Sequence, residues 1–299
     1  MIYSHSISTL AGRVKIAVEL SKIRISLLVA LSTFVGYLLA ADGLSFHILV
    51  PTIGVFLLAS GSAALNQYQE REFDRLMDRT RGRPVASGRI SPAEGLFIAL
   101  SFMLAGALIL LRGANLAALG LGLLNVLWYN GFYTPLKRKT PFAVVPGSVI
   151  GAIPPAIGWV SGGRSLADPQ ILGLAFFFFI WQVPHFWLLL LSFGDDYRKA
   201  GFPSLTEKFS LPQLARITFA WIIATAMACL LIPLFGLGET IILYLVLALS
   251  AIWLAWKSRK LLQHPGNNFS FRPVFHTINI YILVIMFSLS VEKLILSYR

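Results

Sequence analysis

Long apolar runs recur along the whole chain, and each is close to the roughly 20 residues that one helix needs to cross a bilayer. They fall at 25–42, 46–68, 92–111, 115–133, 142–161, 170–191, 212–233, 238–256 and 274–293. A backbone inside hydrocarbon has no water to bond, so each run must close its own hydrogen bonds as a helix. The expected fold is all-α: a polytopic membrane helix bundle of about nine transmembrane helices, forming one domain over 1–299. Composition supports this, with 57% hydrophobic and 13% charged residues, against roughly 45–50% and about 25% in soluble domains. A soluble enzyme with one large core is thereby excluded. The single cysteine, Cys229, lies inside an apolar run, which excludes a disulfide framework and a CxxC metal site and leaves packing as its expected role. No cleavable signal peptide is expected, because the first apolar run begins only near Arg24 without a small-residue cleavage site.

The cations orient the bundle. With nine spans, twenty-one of the 25 lysines and arginines fall on the side shared by the N-terminus and the longer loops; Arg112, Arg164, Lys293 and Arg299 fall on the other. An excess of Lys and Arg marks cytoplasmic loops. The N-terminus is therefore expected in the cytoplasm and the C-terminus outside, in a bacterial inner membrane. The net charge of +12 is then a matter of topology, and nucleic acid is not an expected partner.

One of these loops is unusual. Asn66 to Pro84 reads NQYQEREFDRLMDRTRGRP, with four carboxylates and five arginines, although the whole chain has only 13 acids. Asn66, Glu70, Asp74 and Asp78 recur every four residues, which on one continuous helix places them along a single broad face, with Glu72 pointing away. Stacked acidic groups repel. A divalent cation relieves that repulsion, and carboxylate and amide oxygens suit Mg²⁺, which takes one or two carboxylates plus substrate phosphates. The plainer alternative is a solvated helix end whose acids pair with Arg71, Arg75 and Arg79. Arg79, Arg81, Arg83 and Arg89 follow directly, and guanidinium forks beside a metal are what a diphosphate requires. A second cluster, DDYRKAG from Asp195 to Gly201, lies in another loop on the same side and again joins two carboxylates to two cations, Arg198 and Lys199. Two such clusters on one face suggest two metal-binding edges over one diphosphate.

Two acid-rich loops in a nine-helix apolar bundle resemble the UbiA superfamily of intramembrane prenyltransferases. Its first motif reads N-x-x-x-D-x-x-x-D and matches Asn66, Glu70 and Asp74, with Glu at the middle position; its second matches Asp195 and Asp196. Further blocks resemble the protoheme IX farnesyltransferase branch: VELSKIRISLL at 18–28, DRTRGRPVASGRI at 78–90, YTPLKRKTPF at 133–142, GAIPPAIGW at 151–159, WQVPHFW at 181–187, DDYRKAGFP at 195–203 and FHTINIYI at 275–282. Ile23 stands where that branch usually has proline, and Pro203-Ser204-Leu205-Thr206 where it commonly has P-M-L-P.

The resemblance implies a transferase that moves a farnesyl group from farnesyl diphosphate to a vinyl group of haem B. It also implies Mg²⁺ held by Asn66, Glu70, Asp74, Asp78, Asp195 and Asp196, with Lys199 among the catalytic groups. Arg79, Arg83, Lys137, Arg138 and Lys199 are then the candidates to neutralise the leaving diphosphate. Asn130 and Tyr133 are candidates to face the cavity, with interfacial anchoring as the alternative. Gln182 and His185, three apart on one helix face, and His276 are candidates to contact substrate or haem; a satisfied structural histidine is the alternative for each. Phe176 to Phe179 are expected in the core or against lipid. Haem A synthase or terminal oxidase assembly factors are the implied partners. Three rival readings are the same superfamily with an aromatic quinone precursor as acceptor, a transporter, and a non-catalytic assembly protein with a decayed site, against which the intact acids on both loops argue. A transporter is expected to carry polar residues at mid-membrane, whereas these acids collect at one face.

Overall fold

The computed structural model describes residues 10–41, 43–263 and 270–297, except for the side chain of Asp195. Among the described residues nine helices are long and apolar enough to cross a membrane. They are Ile23–Ala40, Phe46–Gln69, Pro92–Gly113, Leu116–Leu136, Pro141–Ser161, Pro169–Gly194, Leu211–Phe235, Ile241–Leu262 and Arg272–Ser297, here called the first to ninth spans. They follow the nine apolar runs to within a few residues at each end. A short helix, Leu10–Leu20, precedes them.

Helix starts carry the expected caps. Ser91 and Ser210 close capping boxes with Glu94 and Gln213, each followed by proline in the first turn. Asn115 accepts from Ala118 N and caps the fourth span, which starts after a two-residue break.

The spans form a closed ring. The first packs on the second, fifth and ninth; the sixth packs on the fifth, seventh and ninth. One buried cluster joins the second to fifth spans through Val55, Leu58, Leu110, Ile153 and Ile157. A larger one joins the sixth to ninth, with Phe177, Ile222, Leu247 and Tyr281 fully buried or nearly so. Cys229 is buried there as a packing residue. Phe177 and Phe178 enter this core, while Phe176 faces outward. The outer surface is apolar: Ile241, Leu245, Leu249 and Ile252 form one exposed stripe on the eighth span, as lipid contact requires.

Lipid offers helices little hydrophobic drive to associate, so close packing depends on small residues. At the crossing of the first and fifth spans, a Cβ on Gly36 would lie 2.0 Å from Pro155 O, and one on Gly158 would lie 1.9 Å from Thr33 O. The backbones therefore touch at both glycines.

Three departures from regular helix shape the end of the bundle that carries the acids. Lys22 joins Leu10–Leu20 to the first span in the left-handed region (φ 45, ψ 51), the one non-glycine residue with positive φ among those described. The fourth span widens into a π-helix over Leu127–Tyr133. The sixth-span helix runs on to Lys199 but kinks at Phe193 (φ −133, ψ 22).

The crossing predicts a contrast. Gly158→Ala should destabilise the bundle by about 2 kcal/mol, within the usual range for overpacking. Gly120→Ala, where nothing lies within 4 Å of the added Cβ, should be neutral. Thermal unfolding of the two variants in detergent checks this; equal midpoints would show that the crossing tolerates a side chain.

Candidate active site

The second span delivers Asn66 to one end of the bundle and buries it at 2% exposure. Its helix ends at Gln69. Glu70 leaves helical geometry (φ −107, ψ 8), a short helix runs from Arg71 to Leu76, and Met77 is extended. The single helical stripe expected for the four-residue ladder therefore does not form. The backbone turns at Glu70 and again after Asp74, where Thr80 Oγ1 bonds Asp74 O at 3.0 Å. Glu70 and Asp74 turn inward and are 2% and 0% exposed, while Asp78 is carried to the surface. Glu72 points away as expected, paired with Arg75 at 2.7 Å and Arg71 at 3.4 Å.

Each inward acceptor meets a cation from another segment. Lys22 Nζ donates to Asn66 Oδ1 at 3.2 Å, and Asn66 Nδ2 donates to Thr134 Oγ1 at 3.3 Å. Lys137 Nζ lies 2.7 Å from both oxygens of Glu70; it donates to Oε2, and Oε1 receives no well-directed hydrogen bond. Arg83 Nη1 is 2.8 Å from both oxygens of Asp74. Burial lowers the Lys22 ammonium to about 7, helped by the Arg83 charge and opposed by Glu70. Lys22 and Thr134 are site residues that the motif reading did not single out. Lys22 lies in the quoted opening segment, but its reach depends on the left-handed turn.

The second acidic loop meets the first at the surface. Lys199 Nζ is 2.5 Å from Asp78 Oδ2, and Arg81 is 3.6 Å from Oδ1. The Lys199 hydrogen bond, then its charge and that of Arg81, hold Asp78 below the ordinary carboxylate range. Arg79 lies 5.0 Å over the Phe193 ring at the sixth-span kink, and Phe73 packs on Phe202 at 5.0 Å. Asp196 is half-buried at the end of that helix. The side chain of Asp195 lies outside the described residues.

The π-helix places the remaining candidates. Asn130 is buried and faces the second span rather than a cavity: its amide accepts from Ser62 Oγ and donates to Ser62 O at 3.0 Å and Gln69 Oε1 at 3.2 Å. Gln69 Nε2 answers with a bond to Asn130 O at 3.1 Å. Arg138 donates to Gln69 O at 2.7 Å and lies 4.7 Å over Phe73. Tyr133 stacks on Tyr129 at 5.9 Å and touches Phe186 at 6.1 Å. A cavity of about 40 Å³ opens beside these groups, lined by Tyr133, Lys137, Phe186, Tyr197 and Phe202 among others. A larger cavity of about 290 Å³, at Trp159, Arg164, Asp168, Glu239 and Glu292, shares no residue with the acids. The acids therefore locate the candidate site, and cavity size does not.

Deeper in the sixth span, Gln182 packs its amide on Gly151, and His185 sits among Trp181, Phe186 and Phe275. His276 is exposed, one step round the ninth helix from Phe275, and is not brought to this group.

Among the described residues no three His, Cys, Asp or Glu side chains converge on a metal position. The first motif offers two buried carboxylates and one amide oxygen, all hard donors, with Glu70 Oε1 lacking a donor. That set fits Mg²⁺, which completes its shell with waters and phosphate oxygens.

The chain matches known proteins in sequence and in fold. The UbiA prenyltransferase family model matches residues 29–279. The protoheme IX farnesyltransferase of Geobacter sulfurreducens is 42% identical over 214 residues, 72% of this chain and 79% of that one. That of Oleidesulfovibrio alaskensis is 35% identical over 286 residues, 94% and 97%. Among solved structures, a digeranylgeranylglyceryl phosphate synthase superposes with a TM-score of 0.75 at 17% identity, covering 94% of this chain and 99% of its own. A UbiA homologue from Archaeoglobus fulgidus bound to GPP and Mg²⁺ superposes with a TM-score of 0.72 at 14% identity, covering 93% and 99%.

The Asp74–Arg83 pair gives a stability prediction. Arg83→Met strands a carboxylate with no exposed surface and should cost about 3 kcal/mol, whereas adding Asp74→Leu should restore most of it. Unfolding midpoints of the single and double variants check this; equal losses would mean that the pair is not what the fold relies on.

Proposed function

The chain belongs to the UbiA prenyltransferase family, and we propose that it transfers the farnesyl group of farnesyl diphosphate to a haem B vinyl group, yielding haem O and diphosphate. One observation carries the reading. In a chain whose curated relatives are protoheme IX farnesyltransferases, two buried carboxylates and the cations Lys22, Lys137 and Arg83 gather at one end of an otherwise apolar bundle. The whole chain acts as one membrane-embedded prenyltransferase domain. Its acid-bearing end faces the cytoplasm, and in a bacterium it resides in the inner membrane.

Asn66, Glu70, Asp74 and the Asp195/Asp196 loop would hold Mg²⁺, which when bound would supply positive charge to the leaving diphosphate. Asp78, exposed and paired with Lys199, completes that set only if the pair opens. The protein's own cations do the rest. Lys137 and Arg83 neutralise Glu70 and Asp74 and would bind the oxygens of a diphosphate seated beside these carboxylates. Charge grows on the leaving oxygen as the allylic C–O bond breaks. Cations already fixed in a water-poor site stabilise it without reorganisation. Lys22 reaches the same cluster through Asn66, and Arg138, Lys199 and Arg79 lie beside it on Gln69, Asp78 and Phe193.

The apolar helices give the farnesyl chain a dry channel. The ring faces of Tyr133, Tyr129 and Phe186 lie next to Lys137, where an electron-poor allylic carbon would sit. The new bond joins the farnesyl C1 to the outer vinyl carbon of haem B, and water adds to the inner one with loss of a proton. A hydroxyethylfarnesyl haem leaves the bundle, and a haem A synthase or terminal oxidase assembly pathway is the class of process that consumes it.

The reaction is tested with purified protein, Mg²⁺, farnesyl diphosphate and haem B, using mass spectrometry of the extracted haem. The expected product carries a farnesyl-hydroxyethyl group and vanishes when EDTA is added. Diphosphate release without modified haem would discard haem as acceptor while keeping prenyl transfer. Asp74→Asn should lower turnover at least a hundredfold, the scale of losing a pre-placed electrostatic partner. A fully active Asp74→Asn would remove the metal assignment.

A further inference from the structure

The cavity of about 290 Å³ lies at the end of the bundle opposite the acid motifs. Its walls come from the ends of the first, fifth and ninth spans and from the starts of the sixth and eighth. Charges of both signs line it: Asp168, Glu239 and Glu292 against Arg164 and Lys293. Among the described residues none of these three carboxylates is in an ion pair, and neither is Lys293. Opposite charges thus share one space without closing on each other.

Glu292 is the anchor, a charged residue only 9% exposed. Its Oε1 is spent on the start of the eighth span, accepting from Glu239 N at 3.1 Å, Thr240 N at 2.8 Å and Thr240 Oγ1 at 2.6 Å. Among the described residues nothing bonds Oε2. A buried carboxylate oxygen without a donor is costly. That oxygen borders the cavity wall at Gly238, whose absent Cβ would lie 3.4 Å from it. Gly238 and Gly236 hold φ of 97 and 83, a region that disfavours a side chain, so the wall stays open there. Asp168 adds a second oriented carboxylate, pinned through Oδ2 by Trp159 Nε1 and Ser165 N, both at 3.0 Å.

The lining selects the ligand. Three carboxylates call for a cation, yet no three acids among the described residues converge on a metal position. Spaced acceptors suit a primary ammonium, which has three N–H donors to distribute. A quaternary ammonium has none and is recognised by aromatic cages; the single aromatic side chain in this lining is Trp159, itself 3% exposed. The anionic half of the ligand is set by Lys293 and by Arg164, whose Nε is held on Ala40 O at 3.2 Å. The ends of membrane spans lie at the depth of lipid headgroups.

We propose that this cavity binds a phosphoethanolamine head, its ammonium on Glu292 and Asp168 and its phosphate on Lys293 and Arg164. The bound head ties the end of the ninth span to the starts of the sixth and eighth. It steadies the closure of the ring at the end away from the chemistry.

The test is native mass spectrometry of the purified full chain with phosphatidylethanolamine and phosphatidylcholine of the same acyl chains. Wild type should retain the ethanolamine lipid at least about tenfold more tightly, the scale of one hydrogen bond to a charged group. Glu292→Gln keeps an amide oxygen for Glu239 N and Thr240 N, so the cap survives, and that preference should be lost. Lys293→Gln should weaken both lipids alike, because both carry the phosphate. Glu239→Gln, at an exposed position, reads the same preference should Glu292→Gln fail to fold. Soluble glycerophosphoethanolamine separates the sources. If it raises the unfolding midpoint where glycerophosphocholine does not, the head alone is the ligand; if only the lipid is retained, the ligand is a membrane lipid, and either result bears out the site. Equal retention of the two lipids by wild type, or an unchanged preference in every acid variant that folds, overturns it.

Discussion

Two carboxylates cannot remain buried in an apolar bundle unless positive charge is brought to them, and the acid-bearing end is organised around that requirement. An uncompensated buried charge costs several kcal/mol. Here the compensation comes from far along the chain: Lys137 reaches Glu70 across 67 positions, and Lys22 reaches Asn66 across 44. Only Arg83 is local to its partner, Asp74, nine positions away. The N-terminal helix, the second and fourth spans and the loop between the second and third are therefore tied at one point. The left-handed turn at Lys22 belongs to the same arrangement, because it directs that side chain inward while the chain changes direction.

The same end also joins the two halves of the ring. The first acid motif belongs to the second span and the second motif to the sixth, and the buried clusters divide in much the same way. Contact between the motifs is made at the surface by Asp78 with Lys199, and beneath it by a buried apolar cluster of Met77, Ala200 and Phe202 against which Phe73 packs. Interior ion pairs hold the acids in place, while an exposed pair and this apolar cluster hold the loops together. Exposed pairs contribute little to stability and are weakened by salt. Salt therefore weakens the polar part of this joint and leaves its apolar part in place.

Much of this was legible in the sequence, for identifiable reasons. Span number and limits follow from length and apolarity, which bilayer thickness dictates. The acid motifs stand out because charge is scarce elsewhere. The direction of the acids was less legible. A four-residue spacing implies one face only while the helix continues, and Glu70 and Met77 interrupt it. Asn130 looked like a cavity group, yet its amide is spent on Ser62 and Gln69; a polar residue among aromatics does not reveal which neighbour it will meet. His185 and His276 were equivalent as letters. Packing of the sixth span against the ninth separates them, placing one in an aromatic cage and leaving the other exposed.

The π-helix over Leu127–Tyr133 has a consequence for the history of the site. A π-turn is in effect one extra residue accommodated within an α-helix. Winding that turn back into a regular helix with the same number of residues would rotate everything after it by about 100°. Lys137 would then swing away from Glu70, although no site residue had been changed. The wide turn is therefore constrained as tightly as the residues it positions, and a change that let the helix close up there would displace Lys137 without touching the site itself.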